Sequence, residues 1–458
     1  MAMRGCLIFA ALLLAVPAAA DNATPPSDQP PDGLMQQDTL TGDWFGTRKS
    51  LSDDGVLLGG DEIFDALGNP AGGQKQGAAF AGRLELFANV DFNTAFGWKG
   101  AIAHANAYQI HGHGLSADDI GNLLTVSNIG ATPATRLFTL WVQQSLWNDT
   151  VSVRAGQIAA DDEFFVSQYA SLFLNSTFGW PSILGINLPD GGPAYPLATP
   201  GIRVKAALSP ALVVSAAMFN GDPAPAGTGD PQRRDASGTD FRVKGGVFAI
   251  SELAYSSNIT MLGDTLPGSY KIGGWYQDAR YADQRYDGAG LSLASPLSNG
   301  TPALHRGDYG GYLIADQLLW RNAGTADTGL AGFFRLGVTP PERNLIQLHA
   351  DAGLSLTGAL PGRDSDVVGI GMSYEKVSSA QQGLTHDLDM FSGQMFPATD
   401  FESALEVSYQ AQLAPWWILQ PDAQLILHPG ARIINVNAPA AAAPGNAVVL
   451  GARTAISF

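Results

Sequence analysis

RLELFANVDFN, residues 83–93, separates at a period of two: Arg83, Glu85, Phe87, Asn89, Asp91 and Asn93 fall on one face, and Leu84, Leu86, Ala88, Val90 and Phe92 on the other. A helix would scatter both sets around its axis, whereas an extended strand gathers charge on one side and hydrocarbon on the other. The split returns at 344–356, where Gln347, His349, Asp351 and Ser355 oppose Leu348, Ala350, Ala352, Leu354 and Leu356. It returns at 401–411, with Glu402, Glu406, Ser408 and Gln410 against Phe401, Leu405, Val407 and Tyr409. At the C-terminus Val448, Leu450, Ala452, Ile456 and Phe458 oppose Gly451, Arg453 and Ser457. Such segments exceed the about 5–6 residues usual in soluble sheets and match the about 9–11 of a tilted strand that crosses a membrane.

Marked along the chain, these segments predict strands at 56–67, 80–93, 97–111, 136–147, 151–159, 201–209, 211–219, 241–255, 270–278, 309–320, 329–338, 344–357, 366–375, 402–413, 416–428 and 447–458. That makes sixteen, an even number as in bacterial outer-membrane barrels. Short connections at 94–96, 148–150, Ser209-Pro210 and 414–415 alternate with long ones at 112–135, 160–200, 221–240, 279–308, 376–401 and 429–446. A barrel with short turns on one rim and long loops on the other gives this alternation. Two connections depart from it: TPPER at 339–343 is short where a long loop is due, and 256–269 is long where a turn is due. A soluble sandwich or propeller also alternates, with its apolar face turned inward. Long strands around the whole chain, aromatic residues near their ends (Trp98, Trp147, Trp320, Trp416, Trp417) and a last strand ending on Phe458 favour the membrane barrel.

Composition agrees. Only 15% of the 458 residues are charged and 54 are Gly, a combination that excludes coiled coils, helical solenoids and long disordered chains. Lys+Arg 25 against Asp+Glu 42, a net charge of −17, disfavours nucleic acid as a partner. Residues 1–20 read as a signal peptide, with Arg4, an apolar run from Leu7 to Val16, and Ala18-Ala19-Ala20 at the cleavage site. The single cysteine, Cys6, lies inside it, so disulfides, cysteine metal sites and cysteine nucleophiles are excluded from the exported chain. Residues 21–39 read as a flexible Pro-rich leader and 40–55 as a short periplasmic helix, capped by Asp43 and ended by Gly55. The barrel pore domain then occupies 56–458.

Several blocks resemble the carbohydrate-selective porin family of the OprB type. They are LTGDWFGTRKSLSDDGV (40–56), LWVQQSLWNDTVSVRAGQIAADDEFF (140–165), GVFAISELAY (246–255), GGWY (273–276), YLIADQ (312–317) and LEVSYQAQLAPWWILQPDAQLILHPG (405–430). They occur in order over almost the whole exported chain. Thr139 and Gln143 stand where that family pattern leads one to expect acidic residues, which bears on the substrate range. The resemblance implies a sixteen-stranded outer-membrane barrel passing sugars such as glucose by diffusion, with the third external loop, 160–200, folded inward. That loop carries Phe164, Phe165, Tyr169, Leu172, Phe173, Phe178, Trp180 and Ile183, too many apolar groups for a fully solvated segment.

A sugar path needs many exchangeable donors and acceptors, with binding weak enough to permit exit. The inward faces and the third loop supply Arg83, Glu85, Asp91, Trp141, Gln143, Arg154, Asp161, Asp162, Glu163, Arg335, Glu402 and Glu406 as expected constriction and path residues. The narrowest part is expected at Arg83, Glu85, Trp141 and Arg154 facing Asp161, Asp162 and Glu163. No cofactor or metal is expected: His111-Gly112-His113 reads as a turn with no nearby third ligand. The alternatives are a general diffusion porin, a barrel esterase or phospholipase, and an adhesin scaffold. No Gly-x-Ser-x-Gly or phosphate-loop signature supports an enzyme. The expected partners are neutral sugars and outer-membrane lipid in a Gram-negative envelope. A homotrimer and a monomer are equally compatible with these residues, and the acidic excess predicts a cation-favouring ionic leak.

Overall fold

The computed structural model describes residues 33–261, 263–322, 328–433 and 443–458; the expected signal peptide and most of the Pro-rich leader lie outside them. Sixteen strands follow one another: β1 (Val56–Gly73), β2 (Gly77–Asp91), β3 (Ala101–Gly112), β4 (Ala134–Leu146), β5 (Val151–Ile158), β6 (Thr199–Ser209), β7 (Leu212–Asn220), β8 (Val247–Met261), β9 (Asp264–Asp287), β10 (Pro302–Arg321), β11 (Gly329–Val338), β12 (Ile346–Thr357), β13 (Val367–Val377), β14 (Phe401–Ala414), β15 (Trp417–Leu427) and β16 (Gly445–Ser457). Each pairs with its sequence neighbours and β1 pairs antiparallel with β16, so the sheet closes. Closure leaves no edge strand whose N–H and C=O groups would face hydrocarbon unpaired.

All sixteen expected strands are present. The connections 256–269 and 279–308 differ from expectation, because β8 runs to Met261, β9 covers Asp264–Asp287, and only 288–301 remains outside β9 and β10. The polar residues that suggested loops belong to strands extending past the apolar band. The 339–345 connection stays short on the long-loop rim. Alternation survives in three dimensions: Glu402, Glu406 and Ser408 are buried while Val407 is exposed, and Arg453 is buried while Leu450 is exposed.

The N-terminal segment is tied to the short-turn rim. Residues 34–40 are bonded to the wall region: Trp416 donates its indole N–H to the carbonyl of Leu34, and the Leu40 N–H reaches the carbonyl of Ser457. The helix is Thr47–Asp53, with the Asp43 carboxylate accepting from the Lys49 N–H and Arg48 lying over the Trp44 ring at 4.2 Å.

GGWY (273–276) and YGGY (309–312) sit opposite each other on β9 and β10, pairing Gly273 with Tyr312, Gly274 with Gly311 and Trp275 with Gly310. Without a Cβ beneath them, the two rings lie flat on the inner wall. A Cβ on Gly273 would stand 2.2 Å from the Tyr312 ring, and one on Gly310 2.2 Å from Trp275. Gly273→Ala is therefore expected to destabilise the barrel by about 1–3 kcal/mol, read as a lower guanidinium midpoint. An unchanged midpoint would mean that the Tyr312 ring is free to move.

Candidate pore constriction

The 159–198 segment between β5 and β6 seats its Phe165 on this aromatic floor. The Phe165 ring stacks on Tyr312 with centroids 4.1 Å apart and meets His349 edge-on at 5.7 Å. Its φ of +59° is left-handed, a conformation costing roughly 1–3 kcal/mol in a bulky residue unless the surroundings enforce it. They do so. The Phe165 N–H points to Glu252 at 3.3 Å, and Tyr312 donates to the same carboxylate at 2.8 Å. Arg335 donates to the carbonyls of Phe165 (3.0 Å), Gly179 (3.0 Å) and Thr177 (2.7 Å) while forking onto Asp351.

The stretch that follows Phe165, residues 166–175, is held in the same way. Glu406 accepts from the backbone N–H groups of Leu174 and Asn175, Asp316 from Ser167 and Gln168, and Lys271 donates to the carbonyl of Val166. A second inward segment, within 113–133, lies beside it: Glu402 accepts from the N–H groups of Leu123 and Leu124, and Asp65 accepts from Ser127. Asp65 bonds the Ser127 hydroxyl and Asp316 takes the Ser167 hydroxyl beside the Gln168 N–H; the other wall side chains satisfy loop backbone groups that would otherwise be buried without a partner.

A cavity of about 610 Å³ remains between these loops and the wall, lined by Asp61, Arg83, Glu85 and Tyr108 from the strands and Asp161, Asp162, Trp180 and Tyr195 from the loop, among others. Arg83 stands 3.4 Å from both Asp61 and Glu85 and lies over the rings of Tyr108 (4.7 Å) and Tyr195 (5.8 Å). On the loop, burial raises the pKa of both Asp161 and Asp162, and for Asp162 the neighbouring Asp161 charge adds to the rise. The cavity thus offers a guanidinium, carboxyl groups and aromatic faces within one space, which suits a ligand rich in hydroxyls with an apolar ring face.

The other expected residues divide into groups. Trp141, Gln143, Arg154 and Glu163 form a cluster of their own: Arg154 lies 3.8 Å above the Trp141 ring, and His104 stacks on Trp141 at 5.0 Å. Glu163 takes ion pairs from Arg154 (3.1 Å) and Arg203 (2.9 Å), and the Gln143 carbonyl accepts from both guanidiniums. Both guanidiniums are thus held between the loop carboxylate and the Gln143 carbonyl. Arg335, Glu402 and Glu406 are fully buried beneath the loops and do not line the cavity. Asp91 is not brought to the constriction; it caps Phe92–Phe96 at the short-turn rim by accepting from the Asn93 N–H at 2.9 Å.

Asp61, Tyr108, Tyr195, Glu252 and Asp316 were not among the residues expected from sequence. Alternation in DEIFD gave no signal for Asp61, because Ile63 shares its face and Glu62 lies opposite, whereas the inward fold of 113–133 is signalled by LLTVSNI, whose Leu124, Val126 and Ile129 are buried.

A closed antiparallel barrel whose own loops fold inward around a lined cavity has the architecture of a porin. Residues 75–458 match the family described as carbohydrate-selective porin, OprB family, and the chain belongs to it. It is a sugar-selective outer-membrane porin. It is 25% identical over 415 residues to Porin B of Pseudomonas aeruginosa, covering 85% of this chain and 87% of that one. It is 23% identical over 410 residues to the putative porin QuiX of Acinetobacter baylyi, covering 85% and 88%. The high-pH structure of Pseudomonas putida OprB shares the fold, with a TM-score of 0.80 at 23% identity over 93% of this chain and 100% of that chain.

Proposed function

We propose that the chain gives passive passage to neutral sugars of about monosaccharide size, glucose among them, with the cavity around Arg83 as the limiting passage and no covalent chemistry. The observation that carries this reading is the grouping of Arg83, Asp61 and Glu85 with the Tyr108 and Tyr195 rings around one cavity of about 610 Å³. Hydroxyls of a passing sugar would exchange bonds with the charged groups while its ring face slides over the aromatic ones. Hydrogen bonds to charged groups are each worth about 1.5 kcal/mol or more net, enough to orient a sugar, and because they are exchanged one for another they do not trap it.

Liposome swelling tests the proposal. Vesicles carrying the protein are expected to swell faster in glucose than in a size-matched amino acid. Entry ordered strictly by size would replace this reading with a general diffusion porin, and no entry of either solute would remove the pore itself.

A further inference from the structure

Arg83, Arg154, Arg203, Arg335 and Arg453 all turn inward and are buried. Arg280 on β9 and Arg306 on β10 do the opposite. They are direct cross-strand partners. Trp275, Gln277 and Tyr281 are buried, so alternation places Ile272, Tyr276 and Arg280 on the outer surface, where all three are exposed. The Arg306 side chain is 82% exposed and is ion-paired with the half-exposed Asp278 at 3.4 Å, which leaves one positive charge uncompensated across the pair. Among the described residues no hydrogen bond or ion pair is found for Arg280.

Like charges directly opposite on paired strands repel. Their height on the barrel suggests what offsets this. Tyr255 and Tyr270 are paired outward-facing residues toward the short-turn end of β8 and β9. From Tyr270 to Arg280 is ten residues. At about 3.3 Å per residue and a tilt near 40°, that rise is about 25 Å, the height of a barrel's apolar band. The two arginines therefore stand where lipid headgroups begin on the long-loop side, above the exposed rings of Tyr276 and Tyr309. Leu304 is exposed beside them. Gly246, whose added Cβ would lie 2.7 Å from the carbonyl of Asp278, ends a segment with Phe241, Val243 and Lys244 all exposed. Cations interleaved with exposed apolar side chains suit a lipid–water boundary.

We propose that Arg280 and Arg306, with Lys244 on the neighbouring segment, bind the phosphate groups of a phosphorylated glycolipid in the outer leaflet. Each guanidinium offers a fork that matches phosphate oxygens, and one phosphate between the two would turn a repulsive pair into a bridged one. The apolar neighbours favour a membrane lipid over free phosphate.

Native mass spectrometry of the detergent-solubilised full chain tests this, with bisphosphorylated lipid A and its dephosphorylated form as probes. The wild type is expected to retain the phosphorylated form at least about tenfold better, and Arg280→Ala/Arg306→Ala to lose that difference. Arg280→Lys/Arg306→Lys should keep part of it. Sugar-driven swelling should be the same in all variants, because neither arginine faces the lumen. Equal retention of the two lipids by the wild type, or an undiminished preference in the double alanine variant, would overturn the proposal. Displacement of lipid A by millimolar inorganic phosphate would overturn the choice of a lipid ligand, and loss of swelling in the alanine variant would make the pair a support of the barrel instead.

Discussion

Arg335→Met is expected to widen the pore and weaken the barrel in the same variant. The Arg335 side chain is completely buried with Asp351 at its fork, and its remaining donors close three loop carbonyls. Methionine fills a similar volume but supplies no donor, which leaves the buried Asp351, among the described residues, with the His349 ring at 3.3 Å as its remaining ion-pair partner. Breaking one side of a buried ion pair costs about 3–5 kcal/mol, and a chemical-denaturation midpoint should show it. The loop loses three of its tethers, so single-channel conductance should rise and glucose should lose its advantage over a size-matched amino acid. The two effects can be separated. Arg335→Met/Asp351→Leu removes the orphaned charge and should recover part of the stability, while conductance stays high because the carbonyls remain untethered. Wild-type conductance in Arg335→Met would show that Glu252, Asp316 and Glu406 hold the loop without it.

Arg83→Ala should spare the fold and impair the traffic. Arg83 adjoins the cavity, so removing it leaves Asp61 and Glu85 facing water instead of a dry interior. Two things are expected. Cation preference should increase, because two carboxylates lose the guanidinium between them. Sugar occupancy of the channel should fall about tenfold, which corresponds to one charge-assisted hydrogen bond, read from sugar block of ion current. Arg83→Lys keeps the charge and loses the planar fork over Tyr108, so it should restore ion preference more fully than sugar occupancy. Unaltered sugar block in Arg83→Ala would move the limiting step away from this cavity, with the Trp141 and Arg154 cluster as the next candidate.

The two predictions differ because two inward arginines, similar in sequence, meet different surroundings. Arg83 and Arg335 both sit on alternating strands with apolar neighbours, and parity assigns both to the lumen. Parity carries no information about what occupies the lumen at that height. At Arg335 the loop fills it; at Arg83 the loop stands off. Glu402 and Glu406 show the same thing. Glu402 meets Leu123 across 279 residues of sequence, a contact that no local pattern encodes. Asp91 falls on the wet face of its strand as expected, but it is the last residue of β2, so its carboxylate turns to the helix that follows.

Local sequence is enough for the wall: sixteen strands, their inward and outward faces, and a family resemblance spread along the chain. Strand parity is local, repeating every second residue, because successive side chains point to opposite faces of a strand. Which polar wall residues face the cavity and which hold the loops follows from the three-dimensional fold alone. Loop position depends on hydrogen bonds between distant residues, and a buried carboxylate that accepts from a loop backbone reads the same in sequence as one that waits for a sugar.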